Sequence, residues 1–169
     1  MKISFKKLST VEDLEELRQV AFQVWPQTFK SILSPEQIKY MMEMMYAPAV
    51  LASELANNVH FELLVIDDAP AGYISYSAYP SQPGTAKLHK VYLLTQYHGC
   101  GMGQQMLDHA RKQCKNLGFS NIMLCVNKHN ERAIKAYKRN GFAITEAACT
   151  DIGNGFFMDD YIMTRTLAE

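Results

Sequence analysis

A strand-like run, AKLHKVYLL, passes into YHGCGMGQ at residues 97 to 104 and then directly into a run with helical spacing. Gly99, Gly101 and Gly103 stand at alternate positions in that turn. A glycine in ordered structure is roughly 0.5–1 kcal/mol less favourable than alanine, so the stretch calls for unusual backbone angles or for a ligand that comes close to the main chain. A glycine turn leading from strand to helix commits this part of the chain to an α/β arrangement. It also presents free N–H groups at the positive end of a helix dipole, where phosphate oxygens bind well.

Charge narrows the choice of anion. The chain has 17 Lys+Arg against 17 Asp+Glu, so it has no general attraction for nucleic acid or an anionic membrane, and any anion must be held locally. Two phosphate-binding devices fail on specific residues. A Walker loop needs Gly-Lys-Ser/Thr, but Gly103 is followed by Gln104-Gln105. A Rossmann fingerprint needs GxGxxG and an acidic residue at the end of the next strand, whereas here the pattern is GxGxG and that strand ends in Val126-Asn127.

The 169 residues, 48% of them apolar, suit one compact domain spanning 1–169. The N-terminus MKISFKKLSTVEDLEE lacks the apolar region of a signal peptide, and no apolar run approaches the ~18 residues that cross a bilayer, so a cytoplasmic location is expected. Cys100, Cys114, Cys125 and Cys149 have no metal-ligand spacing and read as reduced thiols, with neither disulfide nor zinc.

Along the chain, residues 2 to 8 alternate like an edge strand and Ser9-Thr10 caps a helix that Trp25-Pro26 should interrupt. A second helix opens at Ser34-Pro35-Glu36 and carries Met41, Met42, Met44 and Met45, a pattern of core packing or of an adaptable substrate wall. HFELLVID and YISYSAYP form a hairpin about a turn from Asp67 to Gly72, and AKLHKVYLL follows after SQPGT. Past the glycine turn come a helix ended by Gly118, the strand NIMLCV, a helix from Asn130 to Gly141, the strand FAITEAACT, a loop DIGNGFFMDD and the strand YIMTRTL. The order is that of a mixed α/β domain with a helix pair against each face of its sheet.

Two stretches together resemble the GNAT acyltransferase superfamily. Its acyl-CoA loop reads Arg or Gln, two residues, Gly, one residue, Gly or Ala; Gly101 and Gly103 match, and His98 stands at the Arg/Gln position. Its second motif, V-x-x-x-N-x-x-A-x-x-x-Y-x-x-x-G-F, is reproduced by Val126, Asn130, Ala133, Tyr137 and Gly141-Phe142. Each of these also has a plain structural role open to it: Asn130 as an N-cap, Ala133 and Tyr137 as a buried stripe, Gly141 as a C-cap.

The resemblance implies a mostly antiparallel central sheet flanked by about four helices. It implies acetyl-CoA as co-substrate, without a metal. Backbone groups of Val91, Tyr92 and Leu93 would align the pantetheine arm and acetyl carbonyl. Amides from Gly99, Cys100, Gly101, Met102, Gly103 and Gln104, beside His98, would hold the pyrophosphate, and Asn130 would touch the arm. The basic residues Lys128, Arg132, Lys135, Lys138 and Arg139 would add a phosphate contact or form a solvated face.

The chemistry needs an acid and a base. A lysine-like amine at pH 7 lies ~3 pH units from its free base, a penalty on the order of 4–5 kcal/mol, so a group must take its proton. A backbone N–H stabilises the thioester oxyanion, and the departing thiolate needs a donor. By resemblance Tyr137 is that donor. For the base, some members carry glutamate where Cys125 stands here, and His89 sits where others place a histidine or glutamate; His89 as base competes with water relayed to Glu62 or Tyr76.

DIGNGFFMDDYIM is loosely similar to the polyamine-acetylating branch, with Asp159 and Asp160 either attracting a cationic amine or lying in a solvated turn. The reading is therefore acetyl transfer to a primary amine, a polyamine or other small amine, in a chain that the resemblance allows to be a homodimer. Transfer to a peptide or protein amine and acyl-CoA sensing without turnover stay open.

Overall fold

The structure, a computed structural model, describes residues 1–168. Its elements run β1 (Ile3–Leu8), α1 (Asp13–Phe29), α2 (Pro35–Tyr46), α3 (Pro48–Ala56), β2 (His60–Ile66), β3 (Ala69–Ala78), β4 (Thr85–Leu93), a 3₁₀ turn (Thr95–Tyr97), α4 (Met102–Asn116), β5 (Asn121–Asn127), α5 (Glu131–Arg139), β6 (Ala143–Gly153) and β7 (Phe156–Thr166). The strands make one sheet in the order β1-β2-β3-β4-β5-β7-β6. The β1–β2, β2–β3, β5–β7 and β6–β7 ladders are antiparallel, and β4–β5 is parallel. The mixed, mostly antiparallel sheet is as expected.

Helix boundaries depart from expectation at two prolines. Pro26 does not end α1, which runs on to Phe29. An internal proline is worth roughly 3 kcal/mol against a helix, yet Trp25 and Phe29 on either side of it are buried in the core, and that packing carries the last turn through. Pro48 acts the other way. A residue before proline is pushed out of the helical region, and Ala47, at φ −57° and ψ 141°, ends α2 and lets α3 start at Pro48. The described residues thus hold five α-helices, one more than the pattern suggested.

The Ser34 cap is as read, whereas α1 starts after Glu12, whose side chain makes no cap bond, and Ser9-Thr10 brace the turn just before it. Thr10 Oγ1 accepts the Asp13 N–H at 3.2 Å while the Asp13 carboxylate accepts the Ser9 and Thr10 amides, a reciprocal N-terminal lock. Ser34 Oγ accepts from Gln37 N–H at 3.1 Å, with Pro35 in the first turn.

Two hairpins are tighter than expected. Asp67 and Asp68 both take positive φ, 49° and 65°, as a two-residue hairpin turn requires, so β3 begins at Ala69 and Gly72 lies inside the strand. Asn154 and Gly155, at φ 55° and 78°, make a second such turn. Most of DIGNGFFMDD is therefore strand, and Asp159 and Asp160 sit within β7 instead of in a loop.

Internal contacts gather the chain into two compact units, Met1–Ser77 with Lys90–Met106, and Ala78–His89 with the chain from Leu107 onward. In the first, β1 pairs with β2 from Ile3↔Ile66 to Leu8↔Phe61. Leu17, Ala21, Trp25, Tyr46, Leu51, Phe61 and Tyr73 are fully buried there. Met41 and Met42 join this core, while Met44 is 36% exposed, so the methionine stretch is divided between core and surface. In the second unit β5 pairs with β7 from Asn121↔Thr166 to Asn127↔Asp160, and β4 pairs with β5 only from Thr85↔Asn121 to Leu88↔Leu124. Ile122, Leu124, Val126 and Met163 are buried on one face of that sheet.

Candidate active site

The glycine turn belongs to the first unit. After the 3₁₀ turn, Gly99 and Gly101 take φ of 79° and 84°, left-handed angles that cost an L side chain roughly 1–2 kcal/mol. A Cβ added at Gly99, Gly101 or Gly103 would meet nothing within 4 Å. The glycines serve backbone shape and open access at once. Gln105 N–H bonds the Gly101 carbonyl at 3.2 Å, so the amides before it belong to the first turn of α4, where a helix offers no acceptor of its own. Met102 turns inward and is buried, whereas Gly99, Cys100, Gly101, Gly103 and Gln104 are exposed.

Side chains hold this loop from within. His98 Nε2 lies 2.9 Å from the Leu93 carbonyl oxygen; a carbonyl accepts, so Nε2 carries the proton and donates. The residue that departs from the family's Arg or Gln thereby ties the loop to the end of β4. Cys100 Sγ donates to the Tyr97 carbonyl at 2.9 Å, and Thr95 Oγ1 bonds Gln27 Oε1 at 3.0 Å.

Val91, Tyr92 and Leu93 are half-buried at the end of β4, where an interior glycine of β3 brings two strands unusually close. A Cβ at Gly72 would stand 2.5 Å from the Tyr92 carbonyl oxygen and 3.3 Å from Leu93 Cα. A strand-interior glycine is itself a sign of close backbone approach, and the sequence reading placed this one in a turn.

The Tyr92 ring packs on Trp25, Phe29 and Tyr73, with centroids 5.7, 6.3 and 5.4 Å away. Trp25 Nε1–H donates to Tyr46 Oη at 3.0 Å, and Tyr46 and Tyr73 share a hydroxyl hydrogen bond of 2.7 Å. Burial holds both phenols above their usual pKa. Lys90, buried two residues before Tyr92, lies 3.6 Å from the Glu54 carboxylate and over the rings of Tyr46 and Phe61. None of this polar seam was legible beforehand, because its members are scattered over five elements.

Asn130, Ala133 and Tyr137 belong to the second unit. Asn130 Oδ1 caps α5 by accepting the Ala133 N–H at 3.4 Å. Ala133 and Tyr137 are half-buried and Ile134 is the buried member, so the stripe is shallower than a core face. The Tyr137 ring meets Phe142 edge-on at 5.8 Å, and burial pushes its phenol up to about 12. Lys128 of the basic group pairs with Asp159 at 2.8 Å, which leaves its charge already matched.

His89 is half-exposed on β4, on the same face as Lys87. The β4–β5 ladder ends at Leu88↔Leu124, one residue before His89 and Cys125. Burial raises the Cys125 thiol above its usual pKa, which fits an inert cysteine. Glu62 and Tyr76, the competing relay, are buried together in the first unit with the Tyr76 hydroxyl donating to Glu62 Oε2 at 2.8 Å.

The family model described as the acetyltransferase (GNAT) family matches residues 14–142. The chain belongs to that family. A spermidine N(1)-acetyltransferase of Thermoplasma acidophilum is 29% identical over 164 residues, covering 94% of this chain and 97% of the relative. The crystal structure of PaiA N-acetyltransferase from Thermoplasma acidophilum in complex with coenzyme A superposes with a TM-score of 0.82 at 28% identity, covering 98% of this chain and 99% of that one. The ribosomal-protein-S18-alanine N-acetyltransferase of Escherichia coli shares the fold with a TM-score of 0.74 at 16% identity, over 99% and 96% of the two chains. As a GNAT member this protein is an acetyl-CoA-dependent N-acetyltransferase. Among the described residues no helix is long and apolar enough to cross a membrane.

Proposed function

We propose that this single-domain protein acetylates the primary amine of a small cationic molecule by direct attack of the amine on the thioester of acetyl-CoA. The glycine loop carries the donor half of this reading: exposed, left-handed at Gly99 and Gly101, empty above the backbone and tied by His98 to Leu93. Amides from Gly99 to Gln104 hold the pyrophosphate, and the backbone of Val91, Tyr92 and Leu93 aligns the pantetheine arm and the acetyl carbonyl. Asn130 meets the arm while capping α5.

The amine must be neutral to attack. His89 takes its proton, the nitrogen bonds to the carbonyl carbon, and a backbone N–H stabilises the oxyanion. When the carbon–sulfur bond breaks, Tyr137 donates to the departing sulfur. Its phenol, pushed up to about 12, keeps that proton throughout the neutral range. The acceptor class is supported by the spermidine N(1)-acetyltransferase, to which this chain is similar along nearly its whole length.

Release of free CoA thiol from acetyl-CoA, measured with polyamines, amino-terminal peptides and aminoglycosides, tests this reading. Release that depends on a polyamine or small diamine supports it; release with peptides alone replaces the acceptor class; binding of acetyl-CoA with no release against any amine overturns the catalytic reading in favour of a sensor.

A further inference from the structure

Neighbouring residues of a strand point to opposite faces, and cross-strand partners share a face. On β7 this separates the two aspartates. Asp159 lies on the face of Tyr161, whose partner on β5 is the buried Val126, and its carboxylate is taken by Lys128 at 2.8 Å. Asp160 is opposite Asn127, and Ile162 is opposite Cys125, so Asp160 lies on the other face. Lys87 is opposite Met123 on β5, which puts Lys87 and His89 on that same face. Cys125 and Asn127 are exposed and half-buried there. Among the described residues nothing pairs with the Asp160 carboxylate.

We propose that Asp160 binds a second, non-reacting ammonium of the acceptor, so that the enzyme selects amines with at least two cationic nitrogens over monoamines. The inference rests on the acetyltransferase reading above and names what selects its substrate. Asp160 shares its face with His89, the group assigned to the reacting nitrogen, and with Cys125, which brings no charge to it. A partly desolvated carboxylate held in no ion pair, on the same sheet face as the residue assigned as base, has a cation as its natural counterpart.

The groups around Asp160 act in opposite senses. Burial raises its carboxyl to about 6, Asp159 adds to the rise, and Lys87 and Lys128 pull it down. On the same face stand His89 on β4, Cys125 on β5 and Glu146 on β6, which is opposite Ile162. Lys87 lies over the Tyr79 ring at 5.8 Å. The carboxylate is therefore charged at pH 7 and available.

Steady-state kinetics and binding on the intact protein test this. For Asp160→Asn, KM for spermidine should rise about 10- to 100-fold, with KM for acetyl-CoA and the rate on a saturating monoamine within about 2-fold of wild type. Asp160→Glu should recover part of the loss, and Asp159→Asn, on the other face, should leave the spermidine KM unchanged. An unchanged spermidine KM in Asp160→Asn, or an equal rise in Asp159→Asn, overturns the assignment. Calorimetric binding of spermidine at pH 7.5 gives a readout apart from turnover: wild-type binding that Asp160→Asn abolishes supports it even if no amine is acetylated, and wild-type protein that binds no spermidine overturns it.

Discussion

His98 Nε2 donates across 2.9 Å to the carbonyl oxygen of Leu93, joining the glycine loop to the last residue of β4. The bond fixes the spacing between the amides read as the pyrophosphate cradle and the strand end read as the pantetheine guide. It gives a family position, usually Arg or Gln, a structural use that a donor of different shape can fill.

His98→Ala should raise KM for acetyl-CoA about 3- to 10-fold, the worth of one hydrogen bond, without altering the acceptor KM. His98→Gln keeps an N–H donor and should stay near wild type. If alanine and glutamine behave alike, the bond does not order the loop.

Gly72→Ala places a methyl group 2.5 Å from the Tyr92 carbonyl oxygen. Backbone must shift, so urea denaturation should show a loss of about 1–3 kcal/mol together with weaker acetyl-CoA binding. A variant as stable as wild type would mean that β3 and β4 part without strain.

Tyr46 stands between Trp25 and Tyr73, so its hydroxyl serves two buried partners and that of Tyr73 serves one. Tyr73→Phe should lower stability by about 1–3 kcal/mol, and Tyr46→Phe by more, because it strands both the indole N–H and the remaining hydroxyl. The reverse order in thermal unfolding would refute this division of labour.

Tyr137→Phe should reduce kcat on the order of 100-fold while leaving KM for acetyl-CoA close to wild type. Since the phenol lies at about 12, the wild-type rate should show no decline between pH 7 and 10 from loss of its proton. An unchanged kcat removes Tyr137 from the acid role.

Asp160 carries a folded-state pKa of about 6 against an ordinary value of 3.8, so the native state binds that proton more tightly than the unfolded chain does. Its contribution is most favourable below the unfolded value and is lost as pH rises through about 6. Asp160→Asn should therefore match wild type near pH 4 and exceed it by about 1–2 kcal/mol at pH 8, after allowance for solvent screening. Denaturant melts at the two pH values check this, and a constant difference would contradict the assignment of the shift. A carboxylate that lowers stability at neutral pH is what a recognition residue looks like energetically.

Much of this was legible in local pattern. The glycine loop, the Asn130 cap, the Ser34-Pro35 helix start and the order of most elements follow from dihedral and hydrogen-bonding demands that act within a few residues. The same demands explain the misplaced turns: Asp67-Asp68 and Asn154-Gly155 are two-residue hairpin turns, and reading them as longer loops hid Gly72 and Asp160 inside strands.

By itself the sequence determined which backbone segments must be bare, capped or left-handed, and so where a phosphate-binding turn and its helix lie. Pairing and burial decided the rest. That Pro26 is tolerated, that Trp25, Tyr46 and Tyr73 form one hydrogen-bonded seam, that Lys90 is buried, and that adjacent aspartates face opposite ways all depend on partners distant in the chain. Those contacts exist only once the strands have taken a register, and a shift of one residue would turn every side chain of β7 to the other face.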